Sequence, residues 1–474
     1  MTTTITPRAA QTATAEAAQT EVQSLAEFVD RASLDMLIEQ ALEQLKIRVL
    51  DTIGVAIGAL DAPPLQEIRS LIEDLDAGHG ATLIGGGHAS PDHAAFYNSA
   101  LSRYLDFMDA YLAKGETNHP SDNMGAVLAA AEHADASGED FLTAFAVAYQ
   151  IHARLSDVAP VRDLGFDHTT QGAFAAGAAS AKALGLSPEQ IANAAAMAGT
   201  ANVALRVTRT GDLSHWKGLA YPHVSKEGVF DALLAAHGIT GPAEVFEGNK
   251  GFKALAGDFD LDWSREDLEK VTGTIIKKHN AEIHSQSALD AAQEIRRQEG
   301  FRADAIASVE LTTFDVAYSI IGGGEEGDKR SIRTKEEADH SLPWMVAVVL
   351  LDGELNPAQY EPERIVDDDV QDLMHKVTIT PSPEFSDRFP EHMCADLVVT
   401  LGDGTQFRAS TDDYEGFTTN PLDWEGARRK FDALTSPFAE AELRDEIADL
   451  VRDLENHQVR ELTRVLAQVR QTRS

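Results

Sequence analysis

The sequence predicts a mainly α protein in which an α+β segment separates two helical regions. Three observations support this fold class: apolar stripes at helical spacing before about residue 272, strand-like alternation between 305 and 409, and polar amphipathic helix after Asp423. A chain of 474 residues is long enough for two or three domains with a large buried core. We predict a disordered tail over 1–23, a helical domain over 24–272, an α+β domain over 273–410 and further helices over 411–474.

The first helical region contains a series of apolar stripes separated by turn residues. Ser187-Pro188-Glu189-Gln190 combines a capping residue, Pro at the first helical position and Gln three residues after the cap, and so predicts a helix start. The segments 170–185 and 187–205 consist largely of Ala and Gly, which predicts helices packed closely in the middle of a bundle. The predicted helices cover 24–60, 90–112, 122–137, 139–158, 170–185, 187–205 and 222–237.

The pattern changes near Thr272 to the alternation that is typical of strands. Residues 305–314 and 376–380 alternate in this way. Residues 395–409 predict a hairpin, because Asp403-Gly404 is a strong turn signal between two alternating runs. Helices are predicted between these strands over 284–299 and 339–352.

Acidic residues greatly outnumber basic ones, with 77 Asp and Glu against 40 Lys and Arg and a formal net charge of −37. Such a chain repels phosphate, so nucleic-acid binding is disfavoured. Only 14 of the cations are Lys. An acid excess with scarce Lys is expected in a salt-rich cytoplasm, where screening weakens self-repulsion. Halophilic character is therefore a hypothesis, which retained fold and activity in dilute buffer would contradict.

Cysteine content and hydropathy exclude other classes of protein. The single cysteine, Cys394, cannot form a disulfide within the chain or supply the thiolates of an iron–sulfur cluster. No apolar run reaches the roughly 20 residues that span a bilayer. Residues 1–23 lack the basic start and apolar core of a secretory signal. We therefore predict a cytoplasmic protein with neither membrane nor nucleic-acid partners.

Cations gather at a few places in this acidic chain. Arg206, Arg209, His215 and Lys217 lie within twelve residues. Two further polar clusters, over 118–123 and 277–284, contain histidines and lysines. Each of these residues also has a non-catalytic explanation, since an exposed Arg pairs with surplus acids and a Lys beside Trp can lie along the surface. Taken together, the clusters predict a site for a small polycarboxylate.

Five short motifs follow one another along the chain. They are Tyr-Leu-Asp-Phe-Met-Asp around Asp106, His119-Pro120-Ser121-Asp122, Trp216-Lys217-Gly218, Gly248-Asn249-Lys250-Gly251-Phe252 and Ala338-Asp339-His340-Ser341-Leu342-Pro343-Trp344. In this order they resemble the motifs of the MmgE/PrpD family, which includes 2-methylcitrate dehydratases and cis-aconitate decarboxylases. The resemblance covers residues 25–465. It implies a homodimer, and an all-helical domain built from both chain ends with the α+β domain inserted as a lid. It also implies a pocket between the two that works without a metal or organic cofactor.

The resemblance also implies roles for the residues at matching positions. The predicted catalytic residues are Asp106, His119, Lys217 and His284. The predicted substrate-binding residues are Arg209, His168, Lys278 and Trp344. Trp344 stands where members often carry Tyr, and an indole cannot supply hydroxyl chemistry. His168 considered alone is better explained as a structural residue.

The expected reaction removes a proton next to a carboxylate and expels hydroxide from the neighbouring carbon. Lys217, Lys278 and Arg209 are predicted to hold carboxylates. His119 and His284 are predicted to be the general base and general acid, in either order, because imidazole titrates in the useful range. Asp106 is predicted to orient one of them or to act as the base.

His-Ser-Leu-Pro and Gly-Asn-Lys-Gly-Phe resemble the dehydratase branch more than the decarboxylases. We therefore predict dehydration of 2-methylcitrate to 2-methylaconitate in propionate catabolism by the methylcitrate cycle, together with interconversion of citrate and cis-aconitate. Three alternatives remain: decarboxylation of cis-aconitate to itaconate, epimerisation of a small dicarboxylate, and a non-catalytic helical interaction protein. Release of carbon dioxide distinguishes the first alternative, and stabilisation by citrate-like anions argues against the last.

Overall fold

The computed structural model describes residues 19–75, 80–211, 213–325 and 327–470. Within these ranges the chain forms twenty α-helices and nine strands in three small sheets, which confirms the mainly α fold with an α+β region. The helices of the first part are α1 Glu21–Arg31, α2 Glu39–Gly58, α3 Pro63–Leu75, α4 Pro91–Tyr104, α5 Met124–His133, α6 Gly138–Val158, α7 Thr169–Ala183, α8 Pro188–Ala201, α9 Trp216–Ala236 and α10 Phe252–Ala256.

The second part of the chain contains shorter helices and the largest sheet. Its helices are α11 Gln286–Arg297, α12 Asp315–Ile321, α13 Lys335–Ala338, α14 Leu342–Asp352, α15 Pro362–Ile365, α16 Asp368–Met374 and α17 Pro383–Asp387, followed by α18 Trp424–Thr435, α19 Ala441–Arg452 and α20 Val459–Leu466. The strands of the whole chain are β1 Ala81–Thr82, β2 His88–Ala89, β3 Asp109–Ala113, β4 Glu116–Asn118, β5 Thr274–Ile276, β6 Ile306–Thr313, β7 Val377–Pro381, β8 Ala395–Leu401 and β9 Gln406–Thr411.

Two hydrophobic cores divide the molecule. The larger core takes its residues from 22–276 and again from 422–469, so both ends of the described chain contribute to the helical domain. The smaller core takes its residues from 281–409. This division supports the predicted domain boundaries, which remain a proposal.

Helices α7, α8 and α9 pack closely because small residues lie at their contacts. A Cβ atom on Gly177 would lie 2.8 Å from the Ala194 carbonyl oxygen of α8, and one on Gly228 would lie 2.8 Å from the Ala176 Cβ atom of α7. Real Cβ atoms do not approach other atoms so closely, so these contacts require glycine. The Ala- and Gly-rich composition thus has the packing role that the sequence predicts.

The sheets place the polar segments of the two domains next to each other. In the largest sheet β6 is central, parallel to β7 and antiparallel to β8, which pairs with β9. A smaller sheet joins the domains, because β3 pairs with β4 on one side and with β5 on the other, with Tyr111 opposite Thr274. His119 follows β4 directly and Lys277 follows β5 directly, so this sheet brings two distant polar segments together.

Three predicted boundaries are corrected by the structure. The helix predicted over 90–112 ends at Tyr104, because residues 109–113 form β3 and pair with β5 from far along the chain. Helix α9 begins at Trp216 and contains Pro222, which the prediction had placed at its start. Residues 1–18 of the predicted tail lie outside the described residues, and α1 begins inside that tail at Glu21 with a capping box from Thr20. None of the described helices is long and apolar enough to cross a membrane.

Candidate active site

A small buried cavity lies where the helical and α+β domains meet. Its volume is about 50 Å³, which leaves room for a few water molecules, since one needs roughly 10–15 Å³. Five cations, four histidines and three carboxylates line it. They are Arg103, Arg162, Arg206, Arg209 and Lys277; His119, His168, His284 and His340; and Asp106, Glu116 and Glu282. The cavity is therefore richer in positive than in negative charge, in a chain of net charge −37.

Asp106 lies at the centre of the charged groups, two residues after the end of α4. Its backbone adopts the left-handed region with φ of 55°, which an aspartate tolerates but which is uncommon and typical of functional sites. Its Oδ1 atom accepts hydrogen bonds from Arg103 at 2.6 Å and from Lys277 at 2.7 Å, and its Oδ2 atom lies 3.4 Å from the Lys217 ammonium. Burial alone would raise the pKa of Asp106. The charges of Arg103, Lys277 and Lys217 outweigh burial and hold this pKa well below the usual carboxyl range.

Lys217, in the first turn of α9, reaches across to the α+β domain. Its Nζ atom donates to Asp339 Oδ1 at 2.6 Å and lies 2.9 Å from His340 Nδ1. Burial lowers the pKa of Lys217, and Asp339 and Asp106 oppose that effect. Asp339 also accepts a hydrogen bond from Lys335 at 2.6 Å. One ammonium group thus joins the two domains through buried carboxylates.

The Lys217 ammonium group lies among three side chains that could otherwise bind a metal ion. Ligand atoms of Asp106, Asp339 and His340 lie within 4.8 Å of one another, a spacing that a metal ion could use. Lys217 Nζ contacts all three side chains. These residues therefore fit an ammonium group at their centre, and a divalent cation there would have to displace a buried lysine.

His119 is held with one defined nitrogen available for chemistry. Its Nδ1 atom lies 2.7 Å from the Asp109 carbonyl oxygen. A carbonyl only accepts, so Nδ1 carries the hydrogen and the lone pair lies on Nε2. Burial, followed by the charges of Arg103 and Lys277, lowers the pKa of His119 well below its ordinary value. The imidazole is therefore neutral near neutral pH and able to accept a proton.

His168 and Arg209 form a second buried unit. Arg209 donates from Nε to Asp167 Oδ2 at 2.7 Å and from Nη1 to the Lys217 carbonyl oxygen at 3.1 Å. Its Nη2 atom lies 3.1 Å from His168 Nε2, and the His168 ring stands edge-on to His119 with centroids 5.5 Å apart. Burial lowers the pKa of His168 well below its ordinary value. Arg209 thus fixes the starts of α7 and α9 as well as lining the cavity.

His284 is paired with a carboxylate, unlike His119. Its Nδ1 atom lies 2.7 Å from Glu282 Oε1, and its backbone N–H donates to Glu282 Oε2 at 2.7 Å. Its Nε2 atom is buried and has no hydrogen-bond partner among the described residues.

The structure brings most of the predicted site residues together. Asp106, His119, His168, Arg209 and His284 line the cavity, and Lys217 contacts it through Asp106.

Two predicted substrate-binding residues do not reach this cavity. Lys278 pairs with Asp290 at 2.7 Å and lines a wider neighbouring cleft of about 1460 Å³. Trp344 is fully buried in the α+β core, stacks on Tyr360 with centroids 5.3 Å apart and donates to the Ile365 carbonyl oxygen at 3.2 Å. Its indole is therefore committed to packing and to this hydrogen bond within the α+β core.

Other residues at the site are absent from the prediction. They are Arg103, Glu116, Arg162, Arg206, Lys277, Glu282 and His340, which line the cavity, and Lys335 and Asp339, which lie beside it. Arg103 lies three residues before Asp106, a spacing that lets side chains meet at a helix end. Lys277 and Lys278 are adjacent, and successive residues of an extended chain face opposite sides. That rule implies that only one of the two lysines enters the cavity, but it does not identify which.

Comparison with known proteins finds similarity over most of the chain. The chain matches the MmgE/PrpD N-terminal domain over residues 23–263 and the MmgE/PrpD C-terminal domain over residues 279–456. It is 30% identical to 2-methylcitrate dehydratase of Escherichia coli (strain K12) over 397 residues, which cover 77% of this chain and 80% of that protein. It is 29% identical to 2-methylcitrate dehydratase of Cupriavidus necator, over 75% of this chain and 78% of that protein. It is 26% identical to cis-aconitate decarboxylase of Mus musculus, over 94% of this chain and 93% of that protein.

Proposed function

Because this chain belongs to the MmgE/PrpD family, we propose that it is a hydro-lyase that dehydrates 2-methylcitrate to 2-methylaconitate. The observation that carries the proposal is the cavity, where five cations and four histidines converge in a strongly acidic chain. A tricarboxylate supplies negative groups that match these cations, and its reaction needs the proton donors and acceptors that histidines provide. The cavity of about 50 Å³ holds only a few water molecules, so we expect the side chains around it to move when a substrate of this size binds.

The proton is removed by His119 in this mechanism. Its Nε2 lone pair is fixed by the Nδ1 contact to the Asp109 carbonyl. Its lowered pKa keeps it unprotonated, ready to act as a base. As the C–H bond breaks, its electron pair forms the C=C bond and the C–O bond to the hydroxyl breaks. The hydroxide leaves as water once it receives a proton.

Negative charge builds on the carboxylate next to the carbon that loses its proton. Arg103 and Lys277, which line the cavity and bind Asp106, are placed to stabilise that charge in a site with little water. Lys217 keeps Asp106 and Asp339 charged and in place across the domain boundary. Arg162 and Arg206 line the same cavity and are proposed to receive the remaining carboxylates.

The wider biological setting belongs to the same proposal. We propose a cytoplasmic homodimer that acts in propionate catabolism by the methylcitrate cycle and also interconverts citrate and cis-aconitate. The net charge of −37 supports the hypothesis of a salt-adapted protein. The mechanism assigns no step to a metal or an organic cofactor.

Decarboxylation of cis-aconitate is the second candidate function. The observation in its favour is the similarity to cis-aconitate decarboxylase of Mus musculus over 94% of this chain. Both reactions use carboxylate clamps, so the cations alone do not separate them. A non-catalytic interaction role is disfavoured, because three of the five cations, Arg103, Arg209 and Lys277, are buried where the two domains meet.

The test offers the purified protein 2-methylcitrate, citrate and cis-aconitate separately, in concentrated and in dilute salt. Ultraviolet absorbance follows the enoate, and trapping measures carbon dioxide. Double-bond formation from 2-methylcitrate without gas is the expected result, and gas from cis-aconitate would identify the decarboxylase. His119→Asn should abolish the reaction. His375→Asn is the matched control, because the His375 Nδ1 atom contacts a backbone carbonyl at 2.7 Å as His119 does, but on the surface.

A further inference from the structure

Lys430, on α18, reaches the two segments that carry Asp106 and Lys277. Its Nζ atom donates to the Phe107 carbonyl oxygen at 2.6 Å and to the Lys277 carbonyl oxygen at 2.9 Å. The same nitrogen lies 2.8 Å from Asp51 Oδ1 of α2. Three oxygen atoms therefore surround the ammonium group, which matches its three N–H donors.

The two carbonyl groups belong to segments whose side chains line the cavity. Phe107 directly follows Asp106, and the Lys277 ammonium group donates to Asp106 Oδ1 at 2.7 Å. Lys277 also donates to the Asp106 carbonyl oxygen at 2.6 Å. One lysine thus holds the carbonyl of residue 106, and Lys430 holds the carbonyl of residue 107 and that of Lys277 itself. Lys430 therefore fixes both members of the Asp106–Lys277 pair through their backbone.

The backbone at Asp106 adopts a conformation that needs such restraint. Its φ of 55° lies in the left-handed region, which a residue other than glycine keeps only where its surroundings hold it there. On the N-terminal side the Asp106 N–H donates to the Arg103 carbonyl oxygen at 3.1 Å. On the C-terminal side the restraint comes from the two lysines. We therefore expect the segment after α4 to relax when the Lys430 donor is lost, which would displace the Asp106 carboxylate.

The surroundings of Lys430 favour these contacts over contact with water. Only 11% of its side chain is exposed, and Nζ lies 3.9 Å from the centroid of the Phe107 ring, within the range of cation–π attraction. Burial lowers the pKa of Lys430, and the Asp51 carboxylate opposes that effect. The carbonyl contacts need only N–H donors, which a neutral amine also has, so they do not depend on the charge of Lys430.

Lys430 also has a purely structural explanation, which is that it neutralises Asp51. Asp51 is buried, and a buried carboxylate without a cation is costly. Helix α2 reaches β5 without Lys430, because Arg48 donates to the Thr274 carbonyl oxygen at 2.8 Å. The two roles are therefore separable: the Asp51 contact joins α18 to α2, and the carbonyl contacts join α18 to the cavity.

We propose that Lys430 is a positioning residue, whose two hydrogen bonds to backbone carbonyls keep Asp106 and Lys277 in the arrangement that acts on the substrate. Lys430 touches no reacting atom in this assignment, and no bond is made or broken at it. The inference rests on the proposed function, which places Lys277 where negative charge develops. It gives α18 a part in the reaction although this helix follows the α+β domain in the chain.

The test replaces both members of the buried pair, in Lys430→Met/Asp51→Leu. This double variant removes one positive and one negative charge, so the local net charge is kept. Replacing a buried ion pair by apolar residues of similar size is often neutral for stability. We expect kcat to fall about 10- to 100-fold, as for the displacement of groups at a reacting centre. KM should change little, because Arg162 and Arg206 are the proposed clamps for the bound carboxylates.

Two single variants separate the hydrogen bonds from the ion pair. Asp51→Leu keeps both carbonyl contacts of Lys430 and should retain most of the wild-type kcat. Arg428→Met is the matched control, because it removes a partly buried cation of the same helix that pairs with Asp432 at 2.8 Å, and it should leave kcat unchanged. Urea denaturation gives the folded fraction of each variant. Wild-type kcat in the double variant, or an equal loss in Asp51→Leu, would overturn the proposal.

Hydrogen exchange followed by mass spectrometry tests the same contacts without substrate. In the double variant, peptides spanning 104–112 and 274–283 should exchange faster by on the order of fivefold, because each segment loses a hydrogen bond. Peptides from α7 are the internal reference and should be unchanged. Unchanged exchange in both segments would reject the inference even if the wild type dehydrates 2-methylcitrate. Conversely, wild-type protein that turns over none of the three acids, together with this local acceleration in the variant, would reject the proposed function and keep the role of Lys430 in holding Asp106 and Lys277.

Discussion

Replacing Lys217 by Met tests the charge arrangement on which the site depends. The substitution removes the ammonium group but keeps most of the buried chain. It removes the ammonium nitrogen that lies 2.6 Å from Asp339 Oδ1 and 3.4 Å from Asp106 Oδ2. Only 4% of the Lys217 side chain is exposed, so water cannot replace the lost charge without opening the domain boundary.

The expected loss of stability follows from the partners that remain. Removing one member of an isolated buried ion pair costs about 3–5 kcal/mol. Here Asp339 retains Lys335 at 2.6 Å, and Asp106 retains Arg103 and Lys277. Neither carboxylate becomes an uncompensated charge, so we expect Lys217→Met to lower the free energy of unfolding by about 2 kcal/mol, below the range for an isolated pair.

The loss of activity should be larger than the loss of stability implies. Lys217 contacts the cavity through Asp106, and removing a group that orients a functional side chain typically costs about 10- to 100-fold in activity. We expect a decrease in this range for dehydration of 2-methylcitrate, measured by enoate absorbance under conditions where urea denaturation shows the variant folded. The control is Lys226→Met, on the same helix, where the ammonium pairs with Glu227 at 2.9 Å and is partly exposed. It should change neither quantity appreciably.

One result would refute this reasoning. If Lys217→Met retained more than about a third of the wild-type turnover while folded, the ammonium group would contribute under 1 kcal/mol to the barrier, and Lys217 would be only a structural link between domains.

Three further predictions follow from buried groups. Burial lowers the pKa of His119 and His168, so these two groups bind fewer protons in the folded state than in the unfolded chain below about pH 6.5, and their contribution to stability is lost as pH falls through that point. Burial raises the pKa of Asp122 and Asp231 to about 7 and acts in the opposite direction, so the test compares proteins: the change in urea midpoint from pH 7 to pH 5 should be more positive in His168→Asn than in the wild type, and an equal change would contradict this sign. Trp344→Phe should leave KM for 2-methylcitrate unchanged while lowering stability by about 1–3 kcal/mol, because the indole loses its bond to the Ile365 carbonyl and some packing; a raised KM would place Trp344 in the binding site. Gly228→Val should prevent soluble expression or destabilise the protein by more than about 3 kcal/mol, because its Cβ atom would lie 2.8 Å from the Ala176 Cβ atom. Wild-type stability of this variant would show that helices α7 and α9 can move apart.

Helical periodicity predicted most of the fold because each stripe depends on local residues. Ser187 and Gln190 identified the start of α8 without any distant contact. The failure over 109–113 has the opposite origin. That segment forms a strand only because β5 pairs with it more than 160 residues later, and no local pattern contains that information.

The site shows the same distinction between local and distant information. Histidines and Asp106 were predicted because they stand in short motifs that the family shares. Lys277 was missed although its neighbour Lys278 was chosen, since only the packing of β5 decides which of the two faces the cavity. Glu282 was missed because its role is visible only when its oxygens are seen against His284.

The distribution of charge links the acidic surface to the cationic cavity. Cations in and beside the cavity are held by internal carboxylates: Arg209 by Asp167, Lys217 by Asp339, and Arg103 by Asp106. These pairs fix the cations before substrate arrives, so little reorganisation is needed during the reaction. The excess of acidic residues in the rest of the chain has the opposite effect on an anionic substrate. In dilute buffer it repels the substrate over distances of about 10 Å or more. Salt shortens that range but hardly weakens the buried pairs. We therefore expect substrate association to be faster in concentrated than in dilute salt.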